Sequence, residues 1–222
     1  MLGAVLLAGC HALAPLLYVP APIWSMLFEP GSDKSIGRDL AAFEEKGDWA
    51  GMLKFAQARL ETDSVNHEWL FVCGYATYQM GNYAAAKAYF TNATTLVPEN
   101  AVAWIFLGET FRASGDPRRA LELEQRGLRI DNRSALGWFF MGHAFADTGQ
   151  QRRAAEAYQE AVRNENEFVE AWYALGLQSA KIGDKRQAEA ALHSLRQLAP
   201  ARAEQLFVQL QTQQQGQPPP QR

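Results

Sequence analysis

The chain has 222 residues, of which 48% are hydrophobic and 20% charged, with a formal net charge of −3 and an isoelectric point near 5.8. That length suits one domain plus termini, and the mild acidity, with no basic run carrying interleaved aromatics, removes any general attraction to nucleic acid. Two cysteines, Cys10 and Cys73, lie far apart in unlike settings, which argues against a disulfide framework.

From Met1 to Phe28 no side chain carries a formal charge. Residues 1–28 therefore read as a targeting or anchoring segment rather than as part of the fold. Leu7-Ala8-Gly9-Cys10 resembles the lipobox of bacterial lipoproteins. That resemblance implies diacylglycerol on the Cys10 thiol, cleavage before Cys10 and an outer-membrane lipoprotein facing the periplasm. Ala12-Leu13-Ala14 offers a rival cleavage site that would release a secreted chain. Residues 2–19 offer another reading, an uncleaved inner-membrane anchor, since about 18 apolar residues is near the lower limit for spanning. The plainest alternative is an ordinary N-terminal helix of a cytosolic protein.

Residues 31–65 read as a divergent helix pair centred on Gly47-Asp48-Trp49. From there the chain is periodic. Gly47, Gly81, Gly115, Gly149 and Gly183 recur every 34 residues, and Gly74, Gly108, Gly142 and Gly176 run seven residues ahead of the last four. Around the earlier glycine, one slot holds Leu70, Trp104, Trp138 and Trp172. Another holds Ala86, Ala120, Ala154 and Ala188, and a bulky slot holds Phe90, Glu124, Tyr158 and Leu192. The later glycine suits a helix C′ position with positive φ. Asp48, Asn82, Asp116 and Asp184 follow it as N-caps, with Gln150 the weak exception. The early glycine and the alanine twelve residues on are small, which lets two helices approach closely. Pro98 and Pro200 mark where the second helix stops.

This pattern resembles the tetratricopeptide repeat, with four units over residues 66–200. The resemblance implies an all-α, right-handed superhelical solenoid of antiparallel helix pairs. One unit cannot bury its apolar face, so stacking supplies the core. Residues 201–212, apolar at Leu206, Phe207 and Leu210, read as a capping helix, and residues 213–222 as a disordered tail. Cys73 falls in a slot shared with Leu107, Met141 and Leu175 and is expected to be buried.

In this family the first helix of each unit lines a concave groove. The matching positions here are Phe71, Tyr75 and Tyr78; Ile105, Glu109 and Arg112; Phe139, His143 and Asp147; and Tyr173, Leu177 and Lys181. The resemblance implies a largely aromatic groove that receives a helical or extended partner segment. The lysine and asparagine pattern of the family's carboxylate clamp is absent. Glu124, in the bulky slot, is expected to be partly exposed or paired with an arginine, with Leu121, Leu123 and Leu128 supplying the packing, because an unpaired buried charge is costly.

The four histidines have no metal-ligand spacing, and no nucleotide-binding or hydrolase motif occurs. The expectation is a non-enzymatic protein-binding scaffold of the cell envelope, without a cofactor, tethered at a membrane by its N-terminus. The type IV pilus offers one such setting. A membrane-tethered carrier of an unfolded client, as in cytochrome c maturation, and a cytosolic adaptor are the alternatives.

Overall fold

A computed structural model describes residues 34–215, and these form eleven α-helices. They are α1 (Lys34–Lys46), α2 (Trp49–Leu60), α3 (His67–Gln79), α4 (Tyr83–Leu96), α5 (Ala101–Ala113) and α6 (Pro117–Ile130). Then follow α7 (Ala135–Asp147), α8 (Gln151–Asn164), α9 (Val169–Lys181), α10 (Lys185–Leu198) and α11 (Pro200–Gln215). The helices pair in order and stack into a solenoid, with α11 closing its C-terminal end. Residues 1–28, with Cys10, and the tail from 216 on lie outside the described residues.

The turns within units are made by local chemistry. The five later-register glycines all have positive φ, from 63° at Gly47 to 94° at Gly115. At Gly115 the backbone N–H reaches the Arg112 carbonyl at 2.9 Å, and the N–H of Asp116 reaches the Phe111 carbonyl at 2.9 Å. This bond pair stops α5. Asp116 then starts α6, since its carboxylate accepts the Arg119 N–H at 3.0 Å and Pro117 occupies the first turn. Gln150 makes no such cap bond. At Gly149, where φ is 78°, an alanine would be strained although nothing crowds its side chain. Gly149→Ala is expected to lower unfolding stability by about 1 kcal/mol, measured by urea denaturation, because the left-handed conformation penalises a Cβ.

The earlier glycines work by contact. A Cβ at Gly74 would stand 2.7 Å from the Phe90 ring, and at Gly142 it would stand 2.5 Å from the Tyr158 ring. Each glycine thus makes room for the bulky side chain sixteen residues later. At Gly176 the side chain that comes nearest is Leu206 of α11, 2.6 Å from the would-be Cβ. The capping helix therefore reaches into the last unit.

Between units the tryptophan slot ties down the connecting loop. The indole N–H donates to a carbonyl six residues earlier in three units: Trp104 to Pro98 at 2.8 Å, Trp138 to Asn132 at 2.9 Å and Trp172 to Asn166 at 2.7 Å. The core itself is a chain of rings. Phe106 is fully enclosed, with centroids 5.2 Å from Phe71, 5.7 Å from Tyr75, 5.8 Å from Phe90 and 5.6 Å from Phe140. Cys73 is buried, and that burial pushes its thiol up to about 12, so it behaves as an apolar residue.

Candidate partner-binding site

Leading helices α3 and α5, and α5 and α7, touch directly, and no comparably close approach links successive trailing helices. The stack therefore curves with its leading helices on the inner face. Every expected groove position lies on these helices, but most are not open.

Phe71, Tyr75 and Ile105 are enclosed in the stack, and Tyr78, Glu109 and Phe139 are buried as well. This corrects the expectation of an open aromatic groove. The leading helices approach so closely that each unit's rings pack on the next. Tyr75 sits between Trp49, at 5.9 Å, and Phe106, and its hydroxyl donates to Glu44 Oε1 at 2.6 Å. Phe139 packs on Phe168 at 4.9 Å and on the His143 ring at 4.3 Å.

Four charged or polar groups lace three units together. Tyr78 on α3 donates to Glu109 Oε1 at 2.7 Å. Arg112 grips Glu109 through Nε at 2.6 Å and Nη2 at 2.7 Å, and its Nη1 reaches Asp147 Oδ2 on α7 at 2.8 Å. Burial opposes the charge of Arg112, but Glu109 and Asp147 outweigh it and hold the guanidinium protonated. A bidentate pair of this kind is geometrically specific and fixes the relation of one leading helix to the next.

His143 is half-buried with its Nδ1 enclosed and lacking a partner. Burial, and then the charge of Arg112, lower its pKa to about 3, so the ring is neutral near neutral pH. Tyr173 and Leu177 are half-buried and pack toward α11, where the Arg202 guanidinium lies 4.6 Å over the Tyr173 ring. Asp147 and Lys181 are exposed, and Arg112 keeps a partly open edge. The accessible part of the inner face is thus polar and lies toward the C-terminal units.

Glu124 is neither exposed nor paired, contrary to the sequence expectation. It has no accessible surface, and neither carboxylate oxygen has a hydrogen-bond partner. Burial pushes its carboxyl well above the usual carboxylate range. Glu109 and Asp147 push the same way, and Arg112 only partly offsets them. The unit around it is regular. Gly108 stands over the Glu124 Cγ, 2.6 Å from a would-be Cβ, and Gly127 lets Ile105 and the Ala101 carbonyl approach equally closely. Two small residues thus hold α5 and α6 tightly together around a carboxyl whose protonated form burial favours.

Outside the inner face, a cleft of about 690 Å³ opens between trailing helices α6 and α8, floored by α7. Sequence reasoning did not locate it. Among the described residues no group of His, Cys, Asp or Glu could hold a metal ion, and no helix is long and apolar enough to cross a membrane.

Family profiles described as tetratricopeptide repeat match residues 74–135 and 135–168. No curated protein sequence matches the chain. Several solved structures are similar in fold. A crystal structure of MamA shares 21% identity at a TM-score of 0.60, covering 73% of this chain and 95% of that one. The protein TTC0263 of Thermus thermophilus, described as a thermophilic tetratricopeptide-repeat protein, shares 18% identity at a TM-score of 0.67, covering 79% and 95%. YrrB, described as a tetratricopeptide-repeat protein with an unusual peptide-binding site, shares 20% identity at a TM-score of 0.54, covering 83% and 97%. This fold typically serves protein interaction rather than catalysis. The glycine register, the Phe106-centred ring stack and the matched repeats together place the chain in the tetratricopeptide-repeat family.

Proposed function

We propose that this protein is a non-enzymatic scaffold of the bacterial cell envelope. Its N-terminus tethers it at a membrane through Cys10, and the repeats hold a segment of a partner protein. The observation that carries the binding role is the inner face on which leading helices α3, α5 and α7 touch in turn, with Arg112 and Asp147 partly or fully accessible on it and Lys181 exposed at the end of the next leading helix, α9. An extended or helical segment with polar contacts suits that face better than a purely apolar one. The charge-free run before the repeats and the Leu7-Ala8-Gly9-Cys10 motif support the tether.

The groove is tested with a photo-reactive phenylalanine analogue placed at Lys181, and, as a control, at the exposed outer-face residue Glu122. A protein crosslinked from Lys181 and not from Glu122 is the expected result. Crosslinking from Glu122 alone puts the contact on the other face. The tether is tested separately by Cys10→Ser, which is expected to abolish acyl labelling and release the chain from membranes. Unchanged labelling or retention sinks the lipoprotein reading.

A further inference from the structure

Because the helices of each unit run antiparallel, the turns within units share one edge of the solenoid, and the charge of those turns climbs toward the C-terminal end. Compared over the same seven positions, residues 45–51 carry one cation and two carboxylates, and residues 79–85 carry no charge. Residues 113–119 and 147–153 each carry two cations against one carboxylate, and residues 181–187 carry three against one. The net charge of the chain is −3, so this end of the edge runs against the sign of the molecule. Both carboxylates of the last two turns are committed. Asp147 accepts from Arg112 at 2.8 Å, and Asp184 accepts the Gln187 N–H at 3.0 Å as the cap of α10. Arg152, Lys181, Lys185 and Arg186 are exposed, and none of them pairs with a carboxylate among the described residues. The two turns are held side by side. Gln178 of α9 donates to the Gln151 carbonyl at 3.0 Å, and Gln150, Arg152, Arg153 and Ile182 line a cleft of about 490 Å³ between them.

We infer that this basic edge of the last two units binds an acidic segment of a partner protein. Cations gathered on neighbouring turns without carboxylate partners repel one another, and a chain of carboxylates relieves that repulsion as it adds attraction. Each exposed ion pair is weak by itself, so affinity comes from a chain that meets several cations at once, which a small anion does not do. A membrane lying along the edge would also meet the acidic turn at residues 45–51 and the uncharged one at residues 79–85. A single chain meets the last two turns alone. Lys181 stands at the meeting of this edge with the accessible part of the inner face, so a segment held on that face leaves it across these cations. The choice of a protein segment as occupant rests on the inner-face reading, whereas the basic edge stands without it.

The test uses the full chain and two fluorescein-labelled 12-residue glycine-serine peptides, one with glutamate at every third position and the other with lysine there. Anisotropy in 50 mM sodium chloride is expected to show the glutamate peptide binding at least tenfold tighter than the lysine peptide, and 500 mM salt is expected to weaken it about tenfold by screening. Arg152→Gln with Arg186→Gln removes one exposed cation from each turn and is expected to weaken the glutamate peptide at least fivefold, with the helical circular-dichroism signal unchanged. Arg38→Gln with Lys54→Gln, the same charge change at exposed positions of the first helix pair, is expected to leave binding unchanged. Four results would overturn the proposal: no binding of the glutamate peptide, equal binding of the two peptides, equal losses from the two double variants, or phosphatidylglycerol vesicles binding more tightly than the peptide and being released by the Arg152 and Arg186 changes. A partner crosslinked at Lys181 with no peptide binding sinks this proposal and leaves the inner-face reading standing; peptide binding with nothing crosslinked at Lys181 does the reverse.

Discussion

Phe106→Ala lowers the unfolding free energy by about 3–5 kcal/mol, as expected for truncating a fully buried ring. The effect falls at the top of that range because Phe106 joins rings of the units on both sides of its own. Phe71 and Tyr75 belong to α3, Phe90 to α4 and Phe140 to α7. The alanine leaves a cavity at the junction through which the N-terminal units are coupled to the rest. In a solenoid, stability is nearly a sum of unit and nearest-neighbour terms, so weakening one junction also reduces cooperativity. Urea denaturation followed by circular dichroism is expected to show a lower midpoint and a broader or split transition. A loss below about 1.5 kcal/mol with one sharp transition would show that the ring stack does not couple the units.

Glu124→Met is expected to act in the opposite direction. Methionine keeps the length of the side chain beneath Gly108 and removes two buried oxygens that have no partner. Stability at pH 8 is expected to rise by roughly 1–3 kcal/mol, as when an uncompensated buried polar group is replaced by a packed apolar one. The gain depends on pH with a definite sign. The folded-state pKa of Glu124 is raised, chiefly by burial, so the unfolded chain loses its proton first as pH rises. The stability of the protonated form is fully present below the ordinary carboxylate range and is lost as pH rises from there through the folded-state pKa. The variant's advantage should be small near pH 4.5 and grow toward pH 8. His143 has the opposite slope. Its pKa is lowered to about 3, so its contribution is present above the ordinary imidazole range and lost as pH falls toward 3. That term is common to both proteins and cancels in the difference. Thermal or urea denaturation at several pH values measures it, and an advantage that shrinks with rising pH would refute a neutral buried carboxyl.

The fold was legible because its signals are local. Gly115 takes a positive φ and Asp116 caps the next helix through atoms within a few residues of each other, so the spacing of the two in the chain already marks the turn. The alanine and bulky slots were legible as a pattern, but the reason for the early glycine was only half visible. It accommodates the ring of Phe90 or Tyr158, and at Gly176 it accommodates Leu206 from α11. The binding positions were less legible. Family position put Phe71, Tyr75 and Ile105 on an open face, yet closely packed neighbouring units enclose them. The reading of Glu124 failed for a related reason. A carboxylate looks too costly to bury alone, but the raised pKa of Glu124 favours its protonated form and so lessens that cost.

By itself the sequence determined the helix pairs, their turns and the stacked architecture, because backbone conformation, capping and the 34-residue spacing involve residues that are near neighbours in the chain. Only the tertiary structure decided which surfaces remain open. Arg126 folds over Trp104, whereas Glu160 turns to Arg163 and leaves Trp138 uncovered. Glu109 and Arg112 reach Tyr78 and Asp147 in the adjoining units. Such contacts depend on side chains some 31 to 35 residues apart being brought within bonding distance, and that follows from how closely the units pack.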